Sequence, residues 1–145
     1  MRGLISGFFL CLSLRHWFLF ALCKEQTLHL KSVIMNWNVL TTEAQLTELL
    51  EKSKVNPQVI YKHSTRCGTS SMIKNRLERG PVPPEIDFHF IDLITYRALS
   101  NKIAEDLGVR HESPQVLLIR NGECVYHESH YAVYMEDIAA RSMRA

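Results

Sequence analysis

Apolar and polar residues follow one another along residues 35–145 in blocks whose period switches between that of a helix and that of a strand. Thr42 and Gln45 have the spacing of a capping box, and leucines follow them at helical spacing, so a helix is predicted to begin there. Residues 58–62 suit a strand, and the apolar positions within residues 72–77 again have near-helical spacing. Strand, short polar loop and helix are therefore predicted in direct succession.

The second half of the chain continues this alternation after a proline-rich break at residues 80–84. Asn121-Gly122 is a dipeptide favoured in the tight type I′ turn of a hairpin, and Gly108 is placed to stop a helix. The remaining predicted elements are, in order, a strand, a helix, two hairpin strands and a last helix, at residues 87–92, 98–107, 115–119, 123–127 and about 131–143. This order predicts an α/β fold, a mixed sheet flanked by helices on both faces around one core.

Cys67 is the main candidate for chemistry, because it lies at a predicted helix start directly after a strand and a polar loop. The unpaired N–H groups and the positive end of the helix dipole favour a thiolate there, and the thiolate is the nucleophilic form. Arg66 and His63 are expected to add positive charge. Ser70 occupies the position where a dithiol redox protein carries its resolving cysteine, so exchange is expected to use one sulfur.

Ser113-Pro114 stands directly before the strand predicted at residues 115–119. An X-Pro bond at a strand entry is one place where a cis peptide occurs. A proline at the first strand position also disturbs the ladder of hydrogen bonds least. This dipeptide is therefore a second candidate for a functional loop.

Three separated segments carry a resemblance to a known family: residues 62–67 (Lys-His-Ser-Thr-Arg-Cys), 97–101 (Arg-Ala-Leu-Ser-Asn) and 111–115 (His-Glu-Ser-Pro-Gln). In this order they resemble the signatures of the monothiol bacilliredoxin family, the YtxJ-type thioredoxin-like proteins. The resemblance covers about residues 37–138 and implies a thioredoxin-like fold. The family usually has Cys-Pro-Ile-Ser, whereas this chain has Gly68 after the cysteine and so lacks the stiff helix start that proline gives.

The resemblance implies removal of bacillithiol, a low-molecular-weight thiol, from proteins on which it has formed a mixed disulfide. Cys67 would be the catalytic residue and would carry bacillithiol transiently, with bacillithiol as co-substrate and with no bound cofactor or metal. A second small thiol or a reductase would then free the cysteine. The Ser113-Pro114 bond is expected to be cis and to lie close to Cys67. The candidates for binding substrate or tuning the thiolate are His63, Thr65, Arg66, Ser70, Ser113 and Pro114.

Two other functions stay open at this point. The run at residues 67–70, Cys-Gly-Thr-Ser, also resembles the monothiol glutaredoxins that bind iron–sulfur clusters, although a cluster would need a dimer and external thiols here. A redox-silent interaction module would keep the thioredoxin-like fold without the chemistry. The other cysteines, Cys11, Cys23 and Cys124, do not have the spacing of a disulfide framework or of a zinc site.

Composition and the first 34 residues bear on partners and location. With 46% hydrophobic residues, 22% charged residues and a net charge of +2, the chain is typical of a globular protein and gives no indication of nucleic-acid binding. Residues 1–34 form an apolar leader, which suggests a targeting segment. Arg15-His16 interrupts its apolar run, where a charge is costly in a membrane, so the alternative is an upstream mis-start with translation beginning at Met35. The monothiol redox domain is assigned to residues 35–145. We expect it to be cytoplasmic and free of the membrane, unless the leader is translated and directs it to a membrane or to export.

Overall fold

The structure, a computed structural model, describes residues 35–144. The apolar leader predicted for residues 1–34 lies outside the described residues. Within the part of the chain that is described, none of the helices combines the length and the apolar character needed to cross a membrane.

The described residues form one five-stranded sheet, four α-helices and a short 3₁₀ helix. The strands are β1 (Trp37–Val39), β2 (Gln58–His63), β3 (Asp87–Asp92), β4 (Gln115–Arg120) and β5 (Glu123–Ser129). The helices are α1 (Glu43–Lys52), α2 (Gly68–Arg79), α3 (Arg97–Asp106) and α4 (Met135–Ser142), with the 3₁₀ helix at His130–Ala132. The predicted α/β class is confirmed.

The strand order is β1-β3-β2-β4-β5, which places β2 at the centre of the sheet. Strands β1 and β2 run parallel to β3, whereas β4 runs antiparallel to β2 and β5 antiparallel to β4. The carboxyl end of β2 and the amino end of β4 therefore meet at the same edge of the sheet. The loop that carries the thiol and the loop that carries the proline share this edge, which we call the thiol edge.

Apolar side chains pack on both faces of the sheet, because successive residues of β2 point to opposite sides. Tyr61 lies in one cluster with Ile73 of α2 and Ile138 of α4. Ile60 lies in the other cluster with Leu46 of α1, and residues of α3 complete that cluster. Burial of one such aliphatic side chain contributes about 1.5–3 kcal/mol, so packing holds α2 firmly against the end of β2.

Two local predictions are confirmed. The Thr42 hydroxyl accepts a hydrogen bond from the Gln45 N–H at 3.3 Å, and the Gln45 side chain accepts one from the Thr42 N–H at 3.1 Å, which completes the capping box. Asn121 and Gly122 have φ values of 53° and 82°. Both values are positive, as a type I′ hairpin turn requires.

The structure differs from the sequence pattern at two places. The sequence pattern did not indicate β1, because this strand has only three residues and forms by pairing with the distant β3. The final helix, predicted for about residues 131–143, is divided into the 3₁₀ helix and the shorter α4. Within β3, His89 is only 7% exposed and its Nε2 lies 2.8 Å from Oε1 of Gln58.

Candidate active site

Cys67 is the N-cap residue of α2. Its N–H donates to the carbonyl of Ser64 at 3.1 Å, which closes a turn, and its own carbonyl accepts from the N–H of Ser71 at 3.2 Å, which begins the helix. The side chain is partly exposed, and no acidic residue occurs in the first turn of α2, which lies wholly within the described residues. The thiol is therefore accessible and lies beside N–H groups that the helix itself leaves unpaired.

Ser70 fixes the loop that carries the thiol. Its buried hydroxyl accepts a hydrogen bond from the Ser64 N–H at 3.1 Å and lies 2.7 Å from Nδ1 of His63. The Tyr61 hydroxyl donates to the Ser70 carbonyl at 2.8 Å. The residue at the resolving-cysteine position is thus a polar anchor between α2, the loop and the end of β2.

His63 differs from expectation in its charge. Burial lowers the pKa of His63 and the nearby Lys74 ammonium lowers it further, so the ring is neutral at pH 7. The Ser70 hydroxyl and Nδ1 of this neutral ring share one hydrogen bond, and the tautomer of the ring decides which of the two donates. The expectation that His63 supplies positive charge to the thiolate is therefore wrong at neutral pH.

Thr65 and Arg66 form the middle of the turn before Cys67, and both are exposed. A guanidinium stays charged at neutral pH, so Arg66 is the residue of this turn that carries positive charge. Their contact with a substrate stays a prediction.

The Ser113-Pro114 peptide bond is cis, as predicted. Pro114 is buried and its carbonyl accepts from the His130 N–H at 2.9 Å. Pairing of Lys62 with Gln115 places this proline beside the end of β2, at the thiol edge. The Ser113 hydroxyl is buried and has no hydrogen-bond partner among the described residues. The Pro114 carbonyl is thus committed to the fold, which leaves the Ser113 backbone as the candidate for substrate pairing.

The three segments that carry the family resemblance meet in one polar network. Nζ of the fully buried Lys62 donates to the Ser100 carbonyl at 3.1 Å. The Ser100 hydroxyl lies 3.4 Å from Nδ1 of His111, and Arg97 donates to Nε2 of the same ring at 3.1 Å. Burial lowers the pKa of Lys62 to about 8. Sequence reasoning missed this network, although a lysine at the end of the strand predicted at residues 58–62 was the signal that could have indicated it.

Cys124 is the other free cysteine of the described residues. Its thiol donates to the Tyr126 carbonyl at 3.3 Å, and burial raises the pKa of Cys124. A protonated thiol is a weak nucleophile, so Cys124 is better suited to packing than to exchange. Within residues 35–144, no group of three or more His, Cys, Asp or Glu side chains is arranged to hold a metal ion.

The central strand, the thiol at the start of the next helix and the cis-proline loop at the same edge define a thioredoxin-like protein of the one-thiol type. The sequence model of the family described as Monothiol bacilliredoxin BrxC matches residues 38–138, which is more than half of the chain. The chain belongs to this family, as the three signature segments predicted. Its fold and family are those of thiol–disulfide oxidoreductases.

Solved structures agree with this fold. A candidate oxidoreductase with a thioredoxin fold has 25% identity and a TM-score of 0.64, over 79% of this chain and 97% of that chain. The thioredoxin of Malassezia sympodialis has 21% identity and a TM-score of 0.58, over 75% and 90% of the two chains. The thioredoxin of Trypanosoma brucei brucei has 14% identity and a TM-score of 0.60, over 79% and 93%.

Proposed function

We propose that this chain removes bacillithiol from proteins on which it has formed a mixed disulfide. The Cys67 thiolate attacks the bacillithiol sulfur, a Cys67–bacillithiol disulfide forms, and the bond to the client sulfur breaks. The client cysteine leaves as a thiolate and takes up a proton from water. A second bacillithiol thiolate, or a reductase, then attacks the same bacillithiol sulfur and frees Cys67, so the two electrons come from that second thiol.

The observation that carries this proposal is the position of Cys67. Its thiol is partly exposed at the amino end of α2 and lies at the thiol edge, which it shares with the cis-proline loop. A serine, Ser70, occupies the position where an internal disulfide would need a second thiol. Cys124 is a poor alternative nucleophile because burial raises its pKa. One-sulfur exchange with an external thiol is the chemistry that such a site supports.

The neighbouring residues have different roles in this proposal. Thr65 and Arg66 are exposed beside the thiol and would contact the substrate, while the Ser113 backbone would pair with it. His63 and Ser70 would be positioning residues, because the hydrogen bond between them holds the loop that carries Cys67.

The direct test uses a small client protein that carries bacillithiol on a single cysteine. In the presence of free bacillithiol, the native chain is expected to release the client thiol, which intact-mass spectrometry detects. Cys67→Ser should abolish release, because a serine hydroxyl cannot perform thiol–disulfide exchange, whereas Cys124→Ser should retain the native rate. Activity that survives in Cys67→Ser and is lost in Cys124→Ser would refute the assignment.

A second measurement separates this function from the alternatives. After mild oxidation of host cells, bacillithiol is expected on Cys67, and a second bacillithiol or a reductase in the cytoplasm is expected to release it. Glutathione on Cys67 would change the co-substrate, and an absorbing iron–sulfur species after anaerobic reconstitution would favour a cluster-binding role. Failure of Cys67 to alkylate at mildly acidic pH would favour a redox-silent module.

A further inference from the structure

A groove of about 600 Å³ runs along the exposed side of α2 and begins at the residue after Cys67. Its lining residues recur at helical spacing and so share one face of the helix. At 1.5 Å per residue, this face extends for about 16 Å from its first residue to its last. Along this face the groove is lined by Gly68, Ser71, Met72, Asn75, Arg76 and Arg79.

The polarity of the groove changes with distance from the thiol. Gly68 forms its near end, and a Cβ added there would meet nothing within 4 Å, so this end is open. Ser71 and Asn75 offer neutral hydrogen-bonding groups in the middle, and two arginines form the far end. The lining residues include no carboxylate. An occupant with its sulfur at Cys67 would therefore place its other end beside two positive charges.

One of these arginines is held in place by the fold. The Arg76 guanidinium donates to the carbonyls of Tyr131, at 2.8 Å, and Val133, and it lies 3.9 Å from the centroid of the Tyr134 ring. Its Nε is buried and has no partner among the described residues. The guanidinium is thus fixed before any ligand arrives, which reduces the entropy that binding would lose.

The other arginine is available at the surface. Arg79 is exposed and takes part in none of the ion pairs that the described residues form. A planar guanidinium binds a carboxylate more specifically than a lysine ammonium does, because it can donate two parallel hydrogen bonds to the two carboxylate oxygens.

We propose that this groove binds the carboxylate-bearing end of the small thiol that is exchanged at Cys67. The inference rests on the proposed function and adds the part of the site that selects the thiol. Bacillithiol fits this arrangement, since its cysteinyl sulfur is followed by a glucosamine and then by a malate whose carboxylates are remote from the sulfur. The sugar would lie against Ser71 and Asn75, and the malate against Arg76 and Arg79.

The test compares two small thiols that differ only at the far end: bacillithiol and its malate-free analogue, cysteinyl-glucosamine. The native chain is equilibrated with equal amounts of both symmetrical disulfides and of both free thiols. The Cys67 thiolate attacks one disulfide, forms a mixed disulfide on Cys67 and releases one small-thiol thiolate, so no further oxidant is required. Intact-mass spectrometry then gives the ratio of the two adducts.

The native chain is expected to favour the bacillithiol adduct. Arg79→Gln should lower the adduct ratio about three- to fivefold, as loss of one surface ion pair does. Lys54→Gln removes the same charge beyond the end of α1, on the other face of the sheet, and should leave the ratio unchanged. High salt should lower the native ratio toward that of Arg79→Gln.

Each other outcome overturns something specific. Equal amounts of the two adducts on the native chain, or equal effects of Arg79→Gln and Lys54→Gln, would overturn the groove while leaving exchange at Cys67 intact. No adduct with either thiol would overturn the proposed function and the groove with it.

Discussion

Replacement of Ser70 by alanine tests how the thiol loop is held. The Ser70 side chain is fully buried at 0% exposure, and its hydroxyl joins the Ser64 N–H at 3.1 Å to Nδ1 of His63 at 2.7 Å. A buried hydrogen bond contributes about 0.5–1.5 kcal/mol net, and a group left unpaired costs about 1–3 kcal/mol. We therefore expect Ser70→Ala to lower the free energy of unfolding by about 2–3 kcal/mol.

The assay is urea unfolding at pH 7 in reducing buffer, followed by circular dichroism. Ser71→Ala is the matched control, because Ser71 is the next residue of the same helix and is exposed. Its effect should stay within about 0.5 kcal/mol, as is usual for a surface substitution. The difference between the two variants corresponds to roughly 10 °C in melting temperature for a domain of this size.

One result would refute the reasoning. If Ser70→Ala and Ser71→Ala unfold at the same urea concentration with equal slopes, the hydroxyl does not anchor the loop. Ser70 would then matter only because it is not a second cysteine, and its hydroxyl would have no structural role in the loop.

Two further substitutions test neighbouring features. Ser70→Cys should place a resolving thiol beside Cys67, so the small-thiol adduct should give way to an internal disulfide, a species that intact mass distinguishes from the adduct; persistence of the adduct would contradict this. Lys62→Met should be as stable as the native chain at pH 7 or more stable, because burial lowers the pKa of Lys62 to about 8 and so disfavours its charged form. That pKa lies below the value of about 10.4 that a lysine has in the unfolded chain, so between these two pH values the unfolded chain binds more protons than the folded chain does. The free energy of unfolding of the native chain should therefore rise with pH over this range, relative to that of Lys62→Met. Urea unfolding at pH 7.5 and pH 9.5 measures this difference, and an unchanged difference would contradict it.

Much of the fold could be predicted because its signals are local. The capping box at Thr42 depends on residues three positions apart, and the hairpin turn depends on the preference of Asn121-Gly122 for positive φ. The position of Cys67 at a helix start followed from the change of period around it. The strand β1 gave no such signal, because its pairing partner Asp87–Asp92 lies far along the chain.

The site was harder to predict, because burial depends on the whole sheet. His63 and Ser70 could be named as candidates, but the sequence did not show that both are buried and bonded to each other. Lys62 likewise belongs to a strand with neighbours on both sides, and only the strand order reveals that its ammonium lies in the interior. Charge states follow from burial, which explains why the expected positive charge on His63 was wrong.

The central position of β2 has a consequence for motion. All six of its residues are buried, and strands flank it on both sides, so its amide hydrogens should exchange with solvent only when the whole domain unfolds. Cys67 follows this strand by one short turn that Ser70 ties back to it. The sulfur is therefore presented by the slowest-opening part of the protein. If Cys67 acts as proposed, a mixed disulfide must be brought to that fixed point, and the proposed function therefore predicts clients whose modified cysteine lies on a mobile or protruding segment.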